Sequence, residues 1–349
     1  MVAPAMTAAS NGYQDGIYSI HYDSANHISV LFSWKGSVWK KTLPYCIVNG
    51  IIAFTIQYLK DVRGVDLGFS DKGHSMMTLF VSFLIVSRVS ISLGRYNEAR
   101  GYLGKLYRES RELIQNVCIF TKSNQSLVAK QTRHDIAYNM SVLLRMTMAV
   151  IDYPSESIPC WTLKELNGTT REYVMKNIEL ARKNTPNIVN AEMNMRVPIH
   201  MSLYIRDMVY NINNSLKTPD TIGPWQFGKL FGSIDNFMGA YYGMRKFLTT
   251  PFPFPLVQMA RTFMFIYLYT LPFAILDSVD RASVHFSIVF LVTYGFVGLE
   301  TVSIELDDPF GDDDNDFNNM GMMLVSIRIP NTFLLLLLLL LRRSKFKSY

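Results

Sequence analysis

Charged residues and cysteines are both scarce in this sequence. Only 18% of the 349 residues are charged, whereas soluble domains average about 25%. Cysteine occurs three times at widely separated positions, a pattern that supports neither a disulfide framework nor a zinc site. The low charge therefore argues against an ordinary soluble protein, and the cysteine pattern argues against a disulfide-stabilised one.

The sequence also lacks the motifs of the common enzyme classes. It contains no phosphate-binding glycine loop and no complete dinucleotide-type glycine pattern. Its six histidines show no spacing that is typical of a metal site or a catalytic triad. The basic residues lie near the ends of apolar blocks, and no nucleic-acid motif accompanies them. We therefore expect neither an enzyme nor a nucleic-acid-binding protein.

Long apolar blocks are the main feature that is present. Hydrophobic residues make up 49% of the chain and are concentrated in residues 43–59, 75–94, 262–276 and 282–299. Arg88 and His285 are the only titratable side chains of the Asp, Glu, Lys, Arg and His types in these blocks. A bilayer-spanning helix needs about 20 apolar residues, so we predict an all-α membrane protein with four transmembrane helices. The alternative is a set of buried helices in a soluble core, but polar faces are nearly absent from residues 262–276.

The distribution of basic residues predicts the topology. Three lysines precede the first apolar block, and five basic residues between positions 95 and 111 follow the second. The link between these two blocks is balanced in charge. By the positive-inside rule, the N-terminus and the long middle region lie on the cytosolic, or stromal, side.

These patterns divide the chain into six parts. We predict an N-terminal arm (1–27), a juxtamembrane helix with transmembrane helices 1 and 2 (28–94), a helical cytosolic region (95–255), transmembrane helices 3 and 4 (256–300), an acidic loop (301–320) and a C-terminal tail (321–349). The leucine run at 334–341 is too short to span a bilayer. We expect it to lie in the membrane interface or to pack on a partner.

Arg88 is followed seven residues later by the pattern Arg-aromatic-x-Glu-small-Arg at 95–100. This motif and two others resemble those of bestrophins, which are pentameric anion channels. Residues 250–255, Thr-Pro-Phe-Pro-Phe-Pro, are similar to the turn that leads bacterial and plant bestrophins into their third span. A Pro-Phe-Gly turn at 309–311 is followed by a run of acidic residues, as in the loop after the last bestrophin membrane helix.

The resemblance implies a homopentamer in a lipid bilayer that conducts small anions passively along its central axis. Chloride is the first expected permeant ion. Bicarbonate is the second, because related plant and algal proteins supply it to photosynthetic compartments. Both the plasma membrane and an organelle membrane such as the chloroplast thylakoid fit the sequence. A non-conducting membrane scaffold, which binds partners through its soluble helices and basic tail, is the alternative from a different class.

Candidate pore-lining residues lie in the second apolar block. Met76, Phe80 and Phe83 recur at helical spacing on one face, and the resemblance places Met76 and Phe80 in the hydrophobic neck of the pore. Arg88 would add positive potential for anions, and Trp225 corresponds to a second, cytosolic constriction. The alternatives are a helix face that packs on its neighbours and an arginine that anchors the span end.

The acidic loop is a candidate calcium site, since dense oxygen ligands suit this cation. The resemblance implies that the side chains of Asp313 and Asp316 bind the ion. It also implies that carbonyl groups of Glu305, Asp308 and the N-terminal arm complete the ligand set. The alternative is a solvated acidic loop without a bound ion.

Overall fold

A computed structural model describes residues 25–216, 222–279, 281–310 and 315–317. Within these ranges all regular secondary structure is helical. The helices are α1 (His27–Leu31), α2 (Trp39–Arg63), α3 (Asp71–Phe120), α4 (Leu127–Ile151), α5 (Tyr153–Glu156), α6 (Gly168–Asn184), α7 (Asn190–Tyr210), α8 (Ile212–Leu216), α9 (Pro224–Thr249), α10 (Phe254–Ala274) and α11 (Ala282–Asp307), with a 3₁₀ turn at Cys160–Thr162. The all-α prediction is confirmed for this part of the chain. The Leu334–Leu341 run lies outside it.

Three of the described helices, α2, α3 and α11, are long and apolar enough to cross a membrane. The fourth predicted span corresponds to α10, a 21-residue helix that packs against the other three. The buried Asn49 of α2 joins two of these neighbours, because its Nδ2 donates to the Leu268 carbonyl of α10 (3.0 Å) and to Thr293 Oγ1 of α11 (2.8 Å). Such buried hydrogen bonds fix the register of helices that apolar packing alone would leave free to slide. The count of four spans stays a prediction.

Helix α3 is a single 50-residue helix without an internal proline. At 1.5 Å per residue it is about 75 Å long, more than twice the thickness of a bilayer core. It therefore continues through the predicted domain boundary at 94/95 without a break. Its first half packs on α10 through Val81 and Ile85, and its second half supplies Leu103 and Leu113 to a separate core.

The second core lies outside the membrane bundle and is formed mainly by α4, α7, α9 and the second half of α3. Helices α3 and α9 run antiparallel, since Phe120 contacts Trp225 at one end and Glu98 pairs with Lys246 at the other. Gly243 permits their close approach, because a Cβ at this position would lie 2.4 Å from the Tyr102 ring. The long helix thus joins the two cores.

Candidate functional site

The first half of α3 presents an apolar face that no described residue covers. Met76, Leu79 and Phe83 are 79%, 80% and 69% exposed. They recur at three- and four-residue intervals, which places them on one side of a helix. Phe80 lies at the edge of this face and is partly covered, with its ring at 5.0 Å from Phe263 in an edge-to-face contact.

The structure thus brings the three sequence-predicted apolar residues of α3 close together on one helix surface. Leu79 belongs to the same surface and was missed by the sequence analysis, although its position three residues after Met76 could have revealed it. On the opposite side, Val81 and Ile85 are fully buried against α10. One face of this helix therefore stabilises the fold, and the opposite face stays exposed and free for contact with another molecule.

The exposed face continues along the second half of α3, but its chemistry changes. The exposed residues on this face are Asn97, Gly101, Gly104, Arg108 and Glu112, and Ile119 follows near the helix end. The face is thus apolar where the helix can lie in a membrane and mainly polar or small beyond it. This change matches the passage from a dry environment to water.

Arg88 does not share the exposed face. Its side chain is 2% exposed, and its Nε lies 2.8 Å from Glu300 Oε2 of α11. Arg261 of α10 reaches the other carboxylate oxygen, with 2.6 Å between Nε and Oε1. Neither Glu300 nor Arg261 was predicted from the sequence, although Glu300 is the only acidic residue between positions 282 and 304. A lone carboxylate in an apolar segment calls for a basic partner.

Arg95 forms a second charged contact close to the first. Its Nε lies 2.9 Å from Asp307 Oδ1, and its Nη2 donates to the Thr250 carbonyl at 3.2 Å. The buried Phe252 ring lies below two guanidinium groups, at 5.1 Å from that of Arg88 and 5.9 Å from that of Arg95. These cation–π contacts attach the proline-rich turn to α3.

Together, Arg88, Arg95, Arg261, Glu300 and Asp307 form a charged collar around the base of the membrane helices. The collar contains three arginines and two carboxylates. The neighbouring Asp308 carboxylate also acts on Asp307, so the formal charges at this level are balanced.

Trp225 lies at the far end of α3. It stands in the first turn of α9, is 74% exposed, and packs its ring at 6.0 Å from that of Phe120. Phe120 follows Met76 by 44 positions in one continuous helix, which is about 66 Å. The two sequence-predicted constrictions are thus at opposite ends of the same helix.

The ends of the acidic loop are attached to the protein by aromatic and polar contacts. Phe310 and Phe317 are buried, and the Phe317 ring lies 4.7 Å from Tyr96 of α3. The side chain of Asn315 donates to the Gly36 carbonyl at 3.1 Å and to the Glu305 carboxylate at 2.5 Å. The loop therefore links α11 to the turn that precedes α2.

The described part of this loop contains only some of the predicted calcium ligands. The Glu305 carboxylate already binds Lys41, with 3.4 Å between Nζ and Oε1, and accepts the hydrogen bond from Asn315. Among the described residues, no group of three or more His, Cys, Asp or Glu side chains could hold a metal. Asp313, the first predicted side-chain ligand, lies outside the described residues, whereas Asp308 and Asp316 lie within them.

Comparison with known families decides the classification of this chain. A family model described as "Bacterial/Fungal Bestrophin protein" matches residues 19–328. The chain is a bestrophin. This match covers most of the sequence and confirms the resemblance that the arginine, proline and acidic motifs indicated.

Curated bestrophin relatives match over most of their length. The voltage-dependent anion channel-forming protein of Ralstonia nicotianae is 23% identical over 302 residues, covering 84% of this chain and 88% of that protein. The protein of the same description from Escherichia coli K12 is also 23% identical, with 82% and 84% covered. These relatives are named as channels, which agrees with the expectation that the chain is not an enzyme.

Solved bestrophin structures share the fold. A crystal structure of a bacterial bestrophin homologue from Klebsiella pneumoniae superposes with a TM-score of 0.68 at 15% identity. The superposition covers 85% of this chain and 99% of that one. The helical architecture described above is therefore the bestrophin fold.

Proposed function

We propose that this bestrophin is an anion channel in which five copies surround a central pore that conducts chloride. The observation that carries the proposal is the uncovered apolar face of α3 at Met76, Leu79 and Phe83. This face lies on a helix that otherwise packs tightly on α10. The relatives named as anion channel-forming proteins support the same reading.

In the proposed pore, Met76, Phe80 and Phe83 form the neck. A ring of apolar side chains closes a pore by excluding water, and opening requires only a modest widening. Aromatic rings carry positive charge at their edges, so phenylalanines tolerate a passing anion better than a passing cation. The neck thus combines a gate with a weak preference for anions.

The charged collar contributes to the pore by fixing the positions of the helices that surround it. Arg88 acts in this proposal by holding α11 through Glu300 rather than by touching the permeant ion. Trp225 forms the second constriction at the cytosolic end of α3, and bicarbonate is the second permeant ion.

Calcium regulation is a separate hypothesis. It depends on Asp313 and Asp316 in the loop between α11 and the tail, with the Glu305 and Asp308 carbonyls as further ligands. The loop ends link α11 to α3 and to the turn before α2, so an ion bound there would stabilise the contact between these elements. A rise in melting temperature with added calcium would support it.

The competing reading is a non-conducting membrane scaffold. Purified protein in liposomes loaded with chloride separates the two functions. A channel releases chloride when the membrane potential is clamped by a potassium ionophore, whereas a scaffold leaves the chloride trapped. Liposomes that contain no protein supply the background rate of release.

A further inference from the structure

A polar pocket lies between the second half of α3 and the first half of α9. Its volume is about 310 Å³, and its lining includes Arg108, Glu109 and Glu112 of α3 and Gly228, Lys229 and Gly232 of α9. A Cβ built at Gly228 or Gly232 would meet no atom within 4 Å. These glycines therefore keep space open, in contrast to Gly243 further along α9, where Tyr102 fills the groove.

The charges in the pocket are of both signs. Glu109 is largely buried, and Arg108 binds it through both Nε (3.2 Å) and Nη2 (3.0 Å). Among the described residues, the side chains of Glu112 and Lys229 have no ion-pair partner. The pocket thus contains one internal ion pair and one free charge of each sign.

This lining excludes the simpler ligand classes. A lone anion would meet the carboxylates of Glu109 and Glu112, and a lone metal cation would meet Arg108 and Lys229. An apolar molecule would provide no partner for the four charged side chains of the lining. A ligand that carries one carboxylate and one ammonium group satisfies both free charges at once.

We propose that the pocket binds a small zwitterion of the amino-acid type. Its carboxylate pairs with Lys229 and its ammonium group pairs with Glu112. The pocket volume of about 310 Å³ leaves room for a small amino acid.

The position of the pocket gives the ligand a regulatory role. At 100° per residue, Arg108 and Glu112 lie within about 20° of the direction of Phe83 on α3. The pocket therefore opens on the same helix face as the neck. That this face lines the conduction path rests on the proposed function, in which a bound zwitterion would occupy the cytosolic part of the pore and change the current.

Calorimetric titration of the purified full chain in detergent tests the site. The probes are linear amino acids from glycine to 6-aminohexanoate, with acetate and methylammonium as single-charge controls. We expect saturable binding that is strongest at one chain length and that is weakened about tenfold or more by Lys229→Met or Glu112→Gln. Gly232→Leu should abolish binding by filling the pocket, and Lys183→Met, on the exposed face of α6, should leave it unchanged.

Three results would overturn the proposal. These are no binding by any of the amino acids, equal binding of acetate or methylammonium, and unchanged binding in the Lys229 and Glu112 variants. Because the titration needs no ion current, it is independent of the channel assay. Retained binding in a protein that conducts no ions would overturn the proposed function and leave the pocket in place.

Discussion

Arg88 and Glu300 form an ion pair between α3 and α11, with 2.8 Å between Nε and Oε2 and both side chains almost completely buried. Two helices that pack only through apolar side chains could slide along one another, whereas the two charges of a buried ion pair meet at a single register. The same carboxylate binds Arg261 of α10 at 2.6 Å. Glu300 thus holds three helices of the membrane bundle in one arrangement.

We expect Glu300→Gln to destabilise the protein strongly, because it leaves a buried arginine without a counter-charge. Removing one partner of a buried pair costs about 3–5 kcal/mol. Thermal unfolding in detergent should show a large decrease in melting temperature. The double variant with Arg88→Met and Glu300→Leu should recover part of this decrease. Asp277→Asn breaks the more exposed Lys60–Asp277 pair and serves as the control, with an expected cost below about 1 kcal/mol. Equal losses of stability for Glu300→Gln and Asp277→Asn would show that the buried ion pair contributes no more to stability than the exposed one.

The neck prediction concerns Met76 and Phe80. Replacing both with alanine should widen the constriction and relax gating, since a wider apolar ring wets more easily. Met76→Ala alone should affect stability little, because Met76 is largely exposed. Recordings of both variants should show longer openings, whereas Leu291→Ala, on an exposed position of α11, should not. If gating, rectification and selectivity all stay unchanged in the double variant, these residues do not line the neck.

Cysteine labelling tests the predicted topology. Ser123 lies after α3 and Val65 lies after α2, so Ser123→Cys and Val65→Cys should react with an impermeant maleimide from opposite sides of a sealed vesicle. The three native cysteines are buried, and burial raises the pKa of the Cys160 thiol. The unmodified chain should therefore react only after denaturation. Labelling of both introduced cysteines from the same side would rule out this topology.

The calcium hypothesis is tested by thermal unfolding at increasing calcium concentrations. If Asp313 and Asp316 bind the ion, the melting temperature of the wild type should rise with calcium. The variant with Asp313→Ala and Asp316→Ala should show no rise. Magnesium at the same concentrations controls for ionic strength. An equal response of the wild type and the variant to calcium would exclude the site.

The sequence predicted the three long apolar helices α2, α3 and α11 well because their signal is local. Apolar blocks of bilayer length and lysines at their ends are visible without any knowledge of contacts. The periodicity around Met76 and Phe83 likewise identified one helix face, which the structure leaves exposed. Each of these patterns can be recognised within the sequence of a single helix.

The partners across helices could not be predicted in this way. The pairing of Arg88 with Glu300 joins residues 212 positions apart, and the attachment of Arg95 to the proline-rich turn also depends on packing. The continuity of α3 beyond residue 94 could not be predicted, because the sequence changes there from apolar to charged. The helix nevertheless continues without a break to Phe120. The pocket between α3 and α9 arises from the antiparallel pairing of two helices that are distant in sequence.

An anion-selective pore is the property on which the proposed function depends. Its most direct test is the recording of purified protein in planar bilayers with a chloride gradient across the membrane. We expect unitary currents whose reversal potential moves towards the chloride equilibrium potential as the gradient is increased. Replacing potassium with a large organic cation should leave these currents unchanged. Currents that reverse at the cation equilibrium potential, or no current at any voltage, calcium concentration or pH, would contradict it.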